Sequence, residues 1–81
     1  MEVINFLEDL NEKFPQCFFT KRGNKIIVHE NSYIDGEMAY TFVKLKDPYE
    51  LGINIKLSSY LEEKGYYWEI NKKDEVVIKQ N

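Results

Sequence analysis

Cys17 and His29 are the residues whose chemistry and separation invite a covalent mechanism, and each is the sole member of its type in 81 residues. A thiol becomes a nucleophile when a base lies within hydrogen-bond reach and the surroundings are electropositive. The pattern places the two on neighbouring strands, so a pair is conceivable, but no orienting third residue and no helix N-terminus accompanies it. One cysteine and one histidine cannot hold zinc without carboxylates, and no spacing supplies them. The paired acids Glu8 and Asp9, and Glu62 and Glu63, are helix neighbours that point in different directions and cannot act on one bond. Asp35-Gly36, with Glu37 after it, lacks the alternating acids of a calcium loop. The four glycines are scattered, so no phosphate loop is present. The expectation is a non-catalytic protein with no cofactor and no metal.

A chain this short buries about 60% of the surface that its unfolded form exposes, and a single domain over 1–81 follows. With 43% hydrophobic and 15% aromatic residues, the core must rest on a few large rings and β-branched side chains. A net charge of -3 gives no overall field toward phosphate backbones or anionic lipid. The unpartnered cysteine fits a reducing compartment, and a start of Met1-Glu2-Val3 followed by Glu8 and Asp9 lacks the basic opening of a signal peptide. No apolar run approaches the roughly 20 residues that span a bilayer. A cytoplasmic protein with no membrane association is expected. The Lys, Asn, Ile and Tyr usage is that of AT-rich bacterial genomes and their phages. With that usage, the lack of catalytic motifs together with a second apolar sheet face leads to the expectation of a phage or mobile-element regulator that occupies a partner protein's surface.

The elements that must position these residues can be read in order. Val3, Ile4, Phe6, Leu7, Leu10 and Phe14 make a helical stripe that Pro15 ends. Cys17 to Thr20 reads as a strand, Arg22-Gly23-Asn24 as a three-residue turn, and Ile26-Ile27-Val28 as the return strand. Asp35-Gly36 signals a two-residue hairpin, with a third strand from Met38 to Lys46 behind it. Asp47-Pro48-Tyr49-Glu50 has the make-up of a helix start, although Gly52 and the alternation at Ile53-Asn54-Ile55 leave 48–53 open between helix and connection. A second helix from about Ile55 to Lys64 stops at Gly65, and a hairpin closes the chain, Tyr66 to Ile70 and Val76 to Ile78 around Lys72-Lys73-Asp74.

Leu61-Glu62-Glu63-Lys64 echoes Leu10-Asn11-Glu12-Lys13, and Val76-Val77-Ile78 echoes Ile26-Ile27-Val28, so the chain reads as two helix-hairpin units, about 3–31 and 55–81, with 32–54 inserted between them. Three-residue loops in both hairpins pair Phe18 with Val28, Thr20 with Ile26, Trp68 with Ile78 and Ile70 with Val76. The Asp35-Gly36 turn then pairs Val28 with Val43 and Ile26 with Leu45. The predicted fold is an α+β domain in the order α-β-β-β-α-β-β, a mainly antiparallel sheet with both helices on one face. Its other face would carry Cys17, Phe19, Ile27, His29, Tyr40, Phe42, Tyr67 and Val77. That face is too apolar to be left wet, and it predicts a protein partner or a homodimer at Phe19, Ile27, His29, Tyr40, Phe42, Tyr67 and Val77.

The alternative is nucleic acid. Lys21, Arg22 and Lys25 cluster at the first turn and Lys72 and Lys73 at the second, so hairpins lying side by side in one orientation would make a basic edge among aromatics. The order helix, three strands, helix from Val3 to Lys64 resembles that of the double-stranded-RNA-binding domain. Asp47 and Glu50 stand where that domain carries its basic phosphate-gripping run, so the resemblance is one of topology alone.

Overall fold

Phe6 and Leu10 are both fully buried in helix α1 (Val3–Lys13), as the i, i+4 spacing of its apolar stripe requires. The Phe14 N–H still donates to the Leu10 carbonyl at 2.8 Å, and Pro15, with no N–H to offer, ends the run. The computed structural model describes residues 3–43 and 50–81, for 42, 43, 50 and 51 the backbone alone. Helix α2 (Ile55–Glu63) opens on Asn54, whose side chain accepts from the Lys56 N–H at 2.9 Å as an N-cap. It buries Leu57 and Leu61 on the same core as α1.

The main sheet is antiparallel and joins β1 (Phe19–Arg22), β2 (Lys25–Val28), β7 (Tyr66–Ile70) and β8 (Val76–Gln80) in the order β1-β2-β8-β7. The helix-covered face presents Phe19, Ile26, Val28, Val76, Ile78 and Tyr66 to Phe6, Leu10, Leu57 and Leu61. Phe6 stacks on Tyr66 with ring centroids 3.7 Å apart and planes within 6°, and Tyr60 lies beyond Phe6 at 6.1 Å. One ring from α1 therefore ties α2 to β7. The fold is α+β, with two helices on one face of an antiparallel sheet.

The two helix-hairpin units meet through their second strands. Ile26 pairs with Ile78, Ile27 with Val77 and Val28 with Val76, so the echoed triplets lie antiparallel about an axis through Ile27 and Val77. Trp68 pairs with Ile78 and Ile70 with Val76, as the loop Lys72-Lys73-Asp74 predicts. Asp74 takes the left-handed position there, φ 61°, and the Asn71 side chain accepts from the Lys73 and Glu75 N–H groups at 2.9 and 3.0 Å.

Three expectations are corrected. Phe19, not Phe18, pairs with Val28, because the first loop holds two residues, Gly23 and Asn24, with Arg22 opposite Lys25. The register slides by one, and each β1 side chain changes face. Phe19 is therefore buried under α1 (7% exposed) while Phe18 is turned outward (59%). Second, the third strand does not join β2, whose two edges are taken by β1 and β8. Strand β5 (Tyr40–Val43) pairs instead with β6 (Glu50–Ile53), and the Asp35-Gly36 turn closes a ladder of its own between β3 (Tyr33–Ile34) and β4 (Glu37–Met38). The chain leaves β2 at Asn31, φ 63°, and Ser32 pins the exit, accepting from the Phe18 N–H and donating to the His29 carbonyl, both at 2.8 Å. The likeness to the RNA-binding domain's three-stranded run ends there. Third, the two hairpins run in opposite directions, so their tips lie at opposite ends of the sheet. Leu45, Lys46 and the helix start at Asp47-Pro48 lie outside the described residues.

Candidate functional site

The sheet face away from the helices is polar rather than apolar. Alternation places Thr20, Arg22, Lys25, Ile27, His29, Tyr67, Glu69, Glu75, Val77 and Lys79 on it. Arg22 holds Glu75 with two bonds, 2.9 and 3.2 Å, across the intervening β2, and Lys79 is paired with Glu69. The guanidinium and Asn71 hold the Glu75 carboxyl down to about 2. Thr20 Oγ1 and His29 Nε2 lie 2.6 Å apart. Beneath these pairs Ile27 and Val77 are each 2% exposed yet stand outside the main cluster. Arg22, Glu69 and Lys79 share that face with them, and long charged side chains can lie along apolar surface while their heads pair in water.

Of the residues expected to meet a partner, Ile27 and Val77 are thus buried, and Phe19 and Tyr40 belong to the main core. His29 is half-buried and bonded to Thr20, Tyr67 is exposed, and the Phe42 side chain lies outside the described residues. Cys17 and His29 do not form a pair. The Cys17 thiol is in the core, donates to the Tyr33 carbonyl at 3.4 Å, and burial pushes it up to about 11, so it stays protonated at neutral pH. Among the described residues no cluster of three or more His, Cys, Asp or Glu side chains is placed to hold a metal ion.

The basic tips separate in the same way. Lys21 and Lys25 join Lys79, Tyr67, Val3 and Ile4 around a depression of about 940 Å3 at one end of the sheet, while Lys72 and Lys73 stand at the other. A second groove, about 790 Å3, runs between the C-terminal end of α1, the β3–β4 turn and α2, and is lined by Phe14, Pro15, Tyr33 and Tyr60. Lys56, paired with Asp35, fastens that turn to α2. The pair holds the Asp35 carboxyl below its ordinary range and the Lys56 ammonium above its own.

The remaining surface is an edge. The Asn81 N–H donates to the Gly65 carbonyl and the Asn71 N–H to the Glu75 carbonyl, which fixes the hydrogen-bonded pairs of the β7–β8 ladder at Gly65, Tyr67, Glu69 and Asn71. Trp68 and Ile70 therefore aim their N–H and C=O groups away from β8, and among the described residues no strand pairs with that side. Natural edges are blunted by lysine, proline or a bulge. Strand β1, the other edge, ends in Lys21 and Arg22. Strand β7 is Tyr-Tyr-Trp-Glu-Ile, all but Glu69 strong strand formers, with Tyr67 and Ile70 about 40% exposed. The alternation of its aromatics was visible in the sequence, but its edge position was not, because it depends on which hairpin strands meet in the middle.

No family model matches the chain, and no curated protein or solved structure matches it. Among the described residues, no helix is long and apolar enough to cross a membrane.

Proposed function

We propose that the chain is a small non-catalytic protein-binding module that takes up a strand of its partner along β7. The observation that carries this reading is the row of outward backbone groups at Trp68 and Ile70 on an edge strand, Tyr66–Ile70, that holds no lysine, proline or bulge. Main-chain bonds to an added strand supply affinity, and side chains alternating above and below it supply selectivity. Tyr67 and Ile70 offer apolar surface on the two sides of that added strand. A photoreactive amino acid at position 70, compared with one at position 24 on the far hairpin tip, tests it in cells. Adducts confined to position 70 support strand addition. Adducts at 24 alone overturn it.

The depression between the first hairpin tip and the start of β7 favours a second reading as a nucleic-acid accessory. Its lining gathers three lysines and an exposed tyrosine ring, and none of its described lining residues is acidic. Stacking on such a ring and phosphate contacts from such lysines suit a single strand. Retention on single-stranded DNA that falls with salt and disappears in Lys21→Glu/Lys25→Glu would establish it, and lack of retention by the native chain at low salt removes it.

A further inference from the structure

We infer that the strand added to β7 is the β7 of a second copy of this chain, which joins the two sheets into one of eight strands. This rests on the strand-addition reading and names its partner.

The register centred on Trp68 keeps both Trp68 and Ile70 opposite strand residues and opposes no like charges within the strand. Trp68 and Ile70 point outward, so an added antiparallel strand must place its own outward residues opposite them. With Trp68 on the two-fold axis, Trp68 meets the second copy's Trp68 and Ile70 meets the second copy's Tyr66. Tyr67 then lies opposite the second copy's Glu69, and within Tyr66–Ile70 no like charges face each other. Centring on Glu69 would set two carboxylates directly opposite, which is unfavourable. Centring on Tyr67 would bring Ile70 against Lys64, which caps α2 and is not in strand geometry.

The charges flanking the edge match the same axis. Glu62 and Glu63 close α2 at the start of β7, and Lys72 and Lys73 stand in the loop at its end, all of them exposed. Lys64 and Asp74 dilute each end to one net charge of opposite sign. Within one copy these ends lie apart along the strand. An antiparallel second copy brings each acidic end beside a basic one, twice, as an isologous interface demands.

A charge-swap series in the purified 81-residue chain tests the register as well as the association, read by sedimentation across concentration. Native protein should dimerise, and amide exchange at Trp68 and Ile70 should slow as concentration rises. Glu62→Lys/Glu63→Lys and Lys72→Glu/Lys73→Glu should each weaken dimerisation by about tenfold, less at high salt. An equal mixture of the two variants should recover it, because each acidic end of one now meets a basic end of the other. Dimers whose strength ignores both swaps overturn this register. Native protein that is monomeric throughout, while a photoreactive residue at 70 joins a different protein, overturns self-pairing and leaves strand addition standing. Monomeric protein with no adduct at 70 overturns both.

Discussion

Arg22 and Glu75 are 53 residues apart in sequence and joined by two hydrogen bonds across the polar face of the sheet. The pair links the tip of the first hairpin to the start of β8, over β2. It also sets a pH dependence. The Glu75 carboxyl sits at about 2 in the folded chain against an ordinary 4.5, so between those values the unfolded state binds the proton and the folded state does not. This contribution to stability is complete above about 4.5 and is lost as pH falls toward 2. Thermal melts should show the native midpoint dropping through that window and the Glu75→Gln midpoint dropping less, from a lower start.

The slide of the first hairpin by one residue predicts opposite outcomes at adjacent phenylalanines. Phe19 packs with Val28 under α1, and truncating it to Ala should cost about 3–5 kcal/mol through lost burial and the cavity left behind. Phe18 is turned to solvent, so Phe18→Ala should change stability by less than about 0.5 kcal/mol. Urea unfolding of both variants decides it. Equal losses would contradict the register.

The signal for that slide was in the sequence. Gly23 has φ 62° and Asn24 does not share it, the pattern of a two-residue loop that takes glycine first, whereas Asp35 and Gly36 are both left-handed, as an Asp-Gly loop requires. Placing Arg22 in the loop puts Phe19 on the wrong face, and joining the third strand to β2 adds Tyr40 and Phe42 beside it; without them Ile27, Val77 and Tyr67 are the apolar residues that face keeps. The helices, the closing hairpin and the pairing of Trp68 with Ile78 were legible because each is set by local spacing and a nearby stop. The contact between Ile27 and Val77 was not, since nothing local dictates which hairpin strands meet. The repeat held the one hint: equivalent strands of two like units can pair about a two-fold axis, which puts β8 inside and leaves β7 outside. The edge was hidden for the same reason.

Cys17 should be inert while the chain is folded. Its thiol is buried among core residues and raised to about 11, which leaves almost no thiolate at neutral pH. Alkylation in native buffer should be slower than in urea by two orders of magnitude or more, on the order of the thiolate ratio that a shift from the ordinary 9.0 implies. The sign above pH 9 also follows. The unfolded thiol ionises first and the folded one holds its proton, so stability falls from about pH 9 to about 11. Cys17→Ala should flatten that alkaline decline, and an unchanged decline would show that the thiol does not cause it.

Gly65 offers the sharpest test of the joint between α2 and the edge strand. Its φ is +81°, and a Cβ built there meets nothing within 4 Å, so substitution carries a backbone cost and no steric one. Its N–H donates to the Glu62 carbonyl at 3.2 Å and its carbonyl accepts from the Asn81 N–H at 3.0 Å, so the same residue ends the helix and begins the β7–β8 ladder. An L-alanine held at that φ should destabilise the chain by about 1–2 kcal/mol. A D-alanine, for which positive φ is natural, should stabilise it by about 0.4–1 kcal/mol through the reduced freedom of the unfolded chain. Chemical synthesis is practical at this length, and urea midpoints of the two epimers measure the difference. If both epimers lower the midpoint equally, the left-handed geometry is not what Gly65 supplies, and β7 does not start where the ladder places it.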